Sequence, residues 1–469
     1  MSEPEPVAPR GPTRPTDAVL PAGPGEDIDL TRADVRFIGT TQGLAGIDVD
    51  FVGDLDGDGL DDLVIADRDY RLPSGERVGG VYLVYGRRGL EGDFPLERAD
   101  ATFAADTYVP GDLEVSPAGD VDGDGQDDFL FGGTFLIWGS TTRYSGVLAA
   151  SSVGTELAGG RGAYDTVTAG DLDGDGRSDV IVGAWRPDGD DSGTAAVYVF
   201  YGRADRFGGA THLDRADAVL TSGDGSERLF GFAISARGDV DGDGYDDLLV
   251  GAPGDGAGPS GDAYLLYGGP QRWSGPVAMT GTHIVTSSEG EHGAFGLRVA
   301  IVGDVDGDGC DELVLADPYA RPTSRVSLMY GRRGRFGPTL DLASADFVYE
   351  GDGHDTNLGA GLAEGGDING DGFADLFFGS PNSPDMTQRG HNYVLLGGPS
   401  AFRGTIDTSR YDVRLTGTID DVNGTDVAGY ALANGGDFDG DGYDDLLVGA
   451  YGNRINDEYG GRTYLVYGR

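Results

Sequence analysis

GDLDGDGLDDLVIAD, residues 53–67, sets five carboxylates into the nine positions from Asp54 to Asp62 and then turns abruptly apolar. Like charges at that density repel one another unless a cation lies among them. Asp54, Asp56 and Asp58 alternate with Leu55 and Gly57, so three side chains can converge on one point. Gly57 and Gly59 permit the tight or left-handed backbone that wraps such a loop. Asp62 returns at the ninth position, and the carbonyl of Leu60 at the seventh can supply another oxygen. Hard oxygen donors without His or Cys, in a flexible loop, point to calcium. Magnesium would take fewer protein oxygens in stricter octahedral geometry.

An EF-hand would need a bidentate Glu at position 12 and a helix on either side. Position 12 is Ile65, inside the apolar run LVIA, so the loop closes at Asp62 and runs into a strand. The motif is D-x-D-G-D-G-x-x-D, and it occurs seven times. Positions 1, 3, 5, 7 and 9 of the second copy are Asp120, Asp122, Asp124, Gln126 and Asp128. Those of the third are Asp171, Asp173, Asp175, Arg177 and Asp179, and of the fourth Asp239, Asp241, Asp243, Tyr245 and Asp247. The fifth has Asp304, Asp306, Asp308, Cys310 and Glu312, and the sixth Asp367, Asn369, Asp371, Phe373 and Asp375. The seventh has Asp437, Asp439, Asp441, Tyr443 and Asp445. About seven calcium sites are expected, each using four side chains and the position-7 carbonyl. Asn369 keeps an oxygen but loses a charge, so the sixth should be the weakest.

The copies are spaced by 66, 51, 68, 65, 63 and 70 residues. Each is preceded by a segment ending in Gly-Asp and followed by a β-rich run such as DLVIAD or DLLVGA. A near-continuous apolar strand closed by Gly comes next (VYLVYG, VYVFYG, TYLVYG), then a weaker fourth segment (RADATF, RADAVL, SADFVY). Four strands per unit, repeated seven times, predict an all-β, seven-bladed β-propeller of four-stranded blades. The chain ends on the third strand of the seventh unit, while LTRADVRFIG at residues 30–39 fits the fourth-strand pattern. The N-terminal strand is therefore expected to complete the last blade and close the ring, leaving no open edge. Residues 27–469 are read as the propeller, and residues 1–26, rich in Pro, Gly and charge, as a disordered linker.

The chain has 469 residues, 85 of them Gly, and a formal charge of −47. Thirty-two of its 80 acidic residues lie in the seven loops, so the charge mostly describes metal binding. Acidity of this kind argues against a nucleic-acid partner. No apolar run approaches a membrane span, so direct insertion is not expected. The lone cysteine, Cys310, cannot form an internal disulfide. The first 26 residues lack the apolar core of an export signal. Weak calcium loops need millimolar calcium, so an extracellular or cell-surface location is expected, with an export signal removed ahead of Met1.

The pattern Phe-Gly, Gly-Asp, Asp-Gly-Asp-Gly, Val-Gly-Ala-Pro resembles the FG-GAP repeat of integrin α-subunit propellers and related bacterial proteins. Phe230-Gly231, the 239–247 loop and Val250-Gly251-Ala252-Pro253 carry it almost letter for letter; Phe295-Gly296 and Val448-Gly449-Ala450 carry it in part. The resemblance implies a seven-bladed propeller with calcium in hairpin loops on its lower face. The integrin leg domains and inserted ligand-binding domain find no counterpart in the residues that carry the resemblance, so integrin function is not expected to carry over.

Function is expected to be that of a monomeric, calcium-stabilised, non-catalytic module that recognises a protein or glycan through one face. A structural cell-surface or assembly component is the alternative; an enzyme is the third reading, with no catalytic set legible. The connections on the face opposite the calcium loops pair aromatics with arginines: Tyr70 and Arg71, Trp185 and Arg186, Tyr319 and Arg321, Tyr451 and Arg454. Both residue types are enriched at binding hot spots. Arg237-Gly238-Asp239 spells an adhesion tripeptide, but Asp239 is already the first ligand of the fourth loop.

Overall fold

The computed structural model describes residues 25–469 except 41, 107–112, 133–134, 159–165, 185–194, 209–210, 223–228, 254–260, 280, 286–293, 353–356, 383–388, 401, 419–425 and 456–457. Among these, seven five-stranded sheets follow one another around a ring. In the first blade Ala45–Phe51, Leu63–Asp67, Gly80–Val84 and Ala101–Ala104 pair antiparallel in chain order. The second strands are buried along their whole length in Leu63–Asp67, Leu248–Ala252 and Asp445–Ala450, and in Glu312–Asp317 up to its last residue. The reason lies in the packing: each apolar cluster fills the gap between two neighbouring blades. One joins Leu63, Ile65 and Val84 of the first blade to Leu447 and Leu465 of the seventh, and others lie between the succeeding pairs. A strand with a neighbour on both sides must be apolar on both faces.

The ring closes as the termini predict. Val35–Ile38 pairs antiparallel with Arg462–Val466 of the last blade. Val35 and Phe37 are fully buried in the gap between the seventh and first blades. The Leu-x-x-Ala-Asp signature ahead of this strand is a 3-10 turn, Leu30–Arg32, followed by an aspartate with a fixed duty. Asp34 accepts the Tyr467 amide at 3.1 Å, as Asp100 accepts that of Tyr85 and Asp217 that of Tyr201. The N-terminal segment thus reproduces the hydrogen bonds that a fourth strand makes elsewhere in the chain.

A fifth strand in every sheet goes beyond the four expected. It comes from the connection between the third and fourth strands of the next blade and pairs parallel with the previous blade's fourth strand. Gly146–Ala149 does so against Ala101–Ala104, and Gly275–Ala278 against Ala218–Thr221. In the sixth blade the strand is Glu26–Asp29, which pairs parallel with Val413–Thr416. The N-terminal segment therefore grips two blades.

The glycine that closes each third strand has a steric cause. A Cβ on Gly86 would stand 2.6 Å from the Asp61 carbonyl oxygen, and one on Gly468 would stand 2.1 Å from that of Asp444. Such contacts are not tolerated, so the position is closed to every larger residue.

Candidate metal loops and the two propeller faces

The first loop folds around its own leading carboxylate. Asp54 Oδ1 accepts the Gly57 and Asp58 amides at 2.7 and 3.0 Å, and Oδ2 accepts that of Gly59 at 2.8 Å. Asp56 accepts the Asp58 amide and Asp58 that of Leu60. Gly57 and Gly59 take φ values of 76° and 86°, the left-handed backbone that this wrapping needs. At Asp120, Asp171, Asp239, Asp304, Asp367 and Asp437 the amides of positions 5 and 6 are accepted in the same way, and at Asp120 and Asp304 that of position 4 as well.

This folding brings three of the four expected acids together in each of the first four loops and all four in the fifth. Oxygens of Asp54, Asp56 and Asp58 lie within 4.8 Å of one another, as do those of Asp239, Asp241 and Asp243. In the second and third loops the set is Asp120, Asp122 and Asp128, and Asp171, Asp173 and Asp179. The fifth brings together Asp304, Asp306, Asp308 and Glu312. These clusters could hold metal ions. Asp241 supplies a test of fit, because its Oδ2 takes Arg335 at 3.0 Å while its buried Oδ1 has no hydrogen-bond partner. A buried carboxylate oxygen without a donor is costly, and a cation among three acids would satisfy it. In the sixth loop Asn369 donates to Asp371 at 3.0 Å, which gives that loop a donor where the others hold an anion.

The ninth position is an anchor as well as a candidate ligand. Asp62 is 1% exposed; its Oδ2 accepts the Leu55 amide at 3.0 Å and its Oδ1 that of Gly86 at 2.8 Å. Asp128, Asp179, Asp247, Asp375 and Asp445 make the same pair of bonds. Burial pushes the carboxyls of Asp62, Asp128, Asp179 and Asp247 up to about 8 and that of Glu312 up to about 9. Ionising them without a counter-charge is therefore unfavourable, and a cation in the loop would offset that cost.

Two further sets of residues act on the loops, and neither was singled out in the sequence. The next blade sends an arginine back onto positions 3 and 5. Arg143 pairs with Asp56 and Asp58, Arg206 with Asp122 and Asp124, Arg272 with Asp173 and Asp175, and Arg335 with Asp241 and Asp243. Each guanidinium also lies over the aromatic that ends the previous blade's third strand: Arg143 is 4.7 Å from the Tyr85 ring centroid and Arg335 4.8 Å from that of Tyr267. The recurrence WGSTTRY, YGRADRF, YGGPQRW, YGRRGRF was the signal. The second set is the eighth loop position, which joins consecutive loops. Its amide donates to the position-1 carbonyl of the preceding blade's loop in all seven cases, from Asp127 to Asp54 at 3.1 Å through to Asp61 to Asp437 at 3.3 Å.

The central channel, about 500 Å³, is lined by the innermost strands. Arg237 reaches across it to Glu364, 3.6 Å away, and Asp239 is wrapped by the Asp243 and Gly244 amides. The Arg-Gly-Asp tripeptide is thus built into the channel wall and the fourth loop.

On the face opposite the metal loops the eight candidate recognition residues differ. Trp185 and Arg186 lie outside the described residues, as does the side chain of Arg454. Tyr319 is 51% exposed, and Arg71 and Arg321 are exposed too. Tyr451 is half-buried, edge-on to Tyr430 at 5.6 Å. Tyr70 is buried, edge-on to Tyr82 at 5.8 Å in the gap between the seventh and first blades.

The FG-GAP repeat family model matches residues 230–266, 362–394 and 428–466. The structure explains its letters. Phe230 and Phe295 are buried between blades, and a Cβ on Gly251 would stand 2.1 Å from the carbonyl oxygen of Gly296. The Gly of one blade's Gly-Ala-Pro and the Gly of the next blade's Phe-Gly thus meet backbone to backbone. Integrin alpha-PS2 of Drosophila melanogaster is 31% identical over 237 residues, 48% of this chain and 15% of that protein. Integrin alpha pat-2 of Caenorhabditis briggsae is 28% identical, covering 51% and 19%. Integrin alpha-V of Gallus gallus is 29% identical, covering 43% and 19%. The aligned part is less than a fifth of each relative's length. No described helix is long and apolar enough to cross a membrane. With repeats that match the family model and seven blades in a closed ring, the chain is an integrin-α-like FG-GAP β-propeller.

Proposed function

We propose that this propeller is a calcium-stabilised, non-catalytic binding module that recognises a protein or glycan with the face opposite its metal loops. The observation that carries the reading is the contrast between the faces. Every loop on one face is locked by backbone bonds to the next blade, which suits a scaffold. The other face is made of connections of unequal length that expose Tyr319, Arg71 and Arg321. Binding residues commonly sit on loops held by a rigid scaffold. The similarity to integrin α-subunits favours adhesion over catalysis, and an extracellular or cell-surface setting would supply millimolar calcium.

Calcium fits the loops because every side-chain donor at positions 1, 3, 5 and 9 is an oxygen. Asp54, Asp56, Asp58 and Asp62 would hold it in the first loop, with their counterparts in the other six. Arg143 and its counterparts would fix the outer oxygens of positions 3 and 5, as second-layer partners orient metal ligands elsewhere.

Screening protein and glycan arrays in calcium and in EDTA tests the reading. Tyr319→Ala and Trp185→Ala should each weaken binding tenfold or more if they are anchors, while Asp58→Ala should act only through stability. Binding lost in Asp58→Ala and untouched in both aromatic variants would move the site to the loop face.

A further inference from the structure

The eighth loop position is not a candidate ligand, yet its side chain does something that its backbone ring does not. Asp127 Oδ2 accepts the amide of Asp54, the first candidate ligand of the preceding loop, at 2.9 Å. Asp246 does the same for Asp171 at 2.8 Å, and Asp311 for Asp239 at 2.7 Å. Asp444 serves Asp367 at 2.7 Å, and Asp61 serves Asp437 at 2.8 Å across the closure of the ring. At the two remaining junctions the position is Ser178 and Ala374, where no carboxylate exists.

Each of these aspartates stands between two candidate ligands of its own loop. Asp127 is flanked by Gln126, whose carbonyl is the position-7 donor, and by the buried Asp128. A cation that fixes Gln126 and Asp128 therefore also fixes the carboxylate that holds the Asp54 amide. Ordering one loop prepays part of the ordering of its neighbour, and such coupling is reciprocal.

We propose that the seven loops take up calcium not independently but as two coupled arcs, the sixth, seventh, first and second loops forming one and the third, fourth and fifth the other, with breaks at Ser178 and Ala374. The proposal rests on the calcium reading above. Five carboxylates carry the links, and the uniform backbone ring gives every junction the same background.

Hydrogen exchange read by mass spectrometry on the full chain, across a calcium titration, gives each loop its own midpoint from its own peptide. Asp127→Ala copies the natural residue at position 374 and should raise the first loop's midpoint about threefold to tenfold, leaving the fourth loop's unchanged. Asp127→Asn keeps an acceptor without the charge and should stay near the wild-type midpoint. Ser178→Asp supplies the missing acceptor and should draw the midpoints of the second and third loops together. An Asp127→Ala protein whose first-loop midpoint does not move, or whose seven midpoints move alike, overturns the coupling. So does an Asn variant that behaves as the Ala variant does, since charge alone would then account for the shift. Should the wild-type chain gain no protection in calcium at any loop, the calcium reading itself falls, and the two failures are told apart.

Discussion

The two faces of this ring are made by the same chain at the same seven blades, and they differ in almost every respect. On the metal-loop face the connections share one length, one wrapping of backbone around the leading aspartate, and one set of bonds to the next blade. On the other face the connection between second and third strands is three residues from Phe131 to Phe135 and twelve from Asp67 to Gly80. Uniformity follows from a shared physical task, holding a dense set of acids in place at a blade junction. Where no such task is imposed, length and content are free to serve recognition. The fold is encoded on one face, and whatever distinguishes this protein from its relatives has room on the other.

Breaking the ring should have the largest effect, because without closure there are no faces to compare. Deleting residues 1–38 removes both strands of the N-terminal segment and the buried Ile28, Leu30, Val35 and Phe37. At roughly 1.5–3 kcal/mol for each large apolar side chain, that is most of a typical domain's stability. The truncated chain should aggregate or fail to give a cooperative melt, whereas deletion of residues 1–24 should leave the melting temperature within a degree or two of the full chain. Equal behaviour of the two truncations would contradict the closure.

Chelation comes next and acts on one face only. At ~1 mM calcium and a Kd of ~0.1 mM, each bound ion would contribute about 1.4 kcal/mol, and seven ions about 10 kcal/mol before any coupling between loops is added. Scanning calorimetry in EDTA should show a large fall in melting temperature that added calcium reverses. An unchanged melt would remove the loops from the stability of the protein.

Single substitutions then sharpen the contrast. Asp247→Ala strips the Val240 and Gly268 amides of their acceptor as well as a candidate ligand, and should cost about 2–4 kcal/mol. Tyr319→Ala on the opposite face removes an exposed ring and should stay within about 0.5 kcal/mol. Chemical denaturation of the two variants in calcium compares them directly, and a Tyr319→Ala loss as large as that of Asp247→Ala would erase the distinction.

Much of the loop face was legible from residue order alone. The alternating aspartates, the glycines between them and the apolar run after them each follow from local geometry, and the displaced fourth strand at the N-terminus foretold the closure. What escaped notice depends on residues that meet only after folding. The fifth strands, such as GVLA and GTID, carry no strong pattern, because their partner is the outer strand of the previous blade. Arg143 and its counterparts act on a loop more than eighty residues earlier, so their role shows in the repeat alignment but not in any one segment. Asp127 and the other position-8 carboxylates were hidden within the acidic density of the motif itself. Tyr70 differs from these: it is an aromatic beside an arginine in a surface connection, and its ring lies in the gap between blades, which the local sequence does not show.

A crystal structure at millimolar calcium, with the ions identified by anomalous scattering, tests the central claim most directly. The account predicts one ion in each of the seven loops, coordinated by side chains at positions 1, 3, 5 and 9 and by the position-7 carbonyl, with the weakest density in the loop of Asn369. Loops that remain empty at that concentration, with Asp241 Oδ1 hydrogen-bonded to water instead, would contradict it.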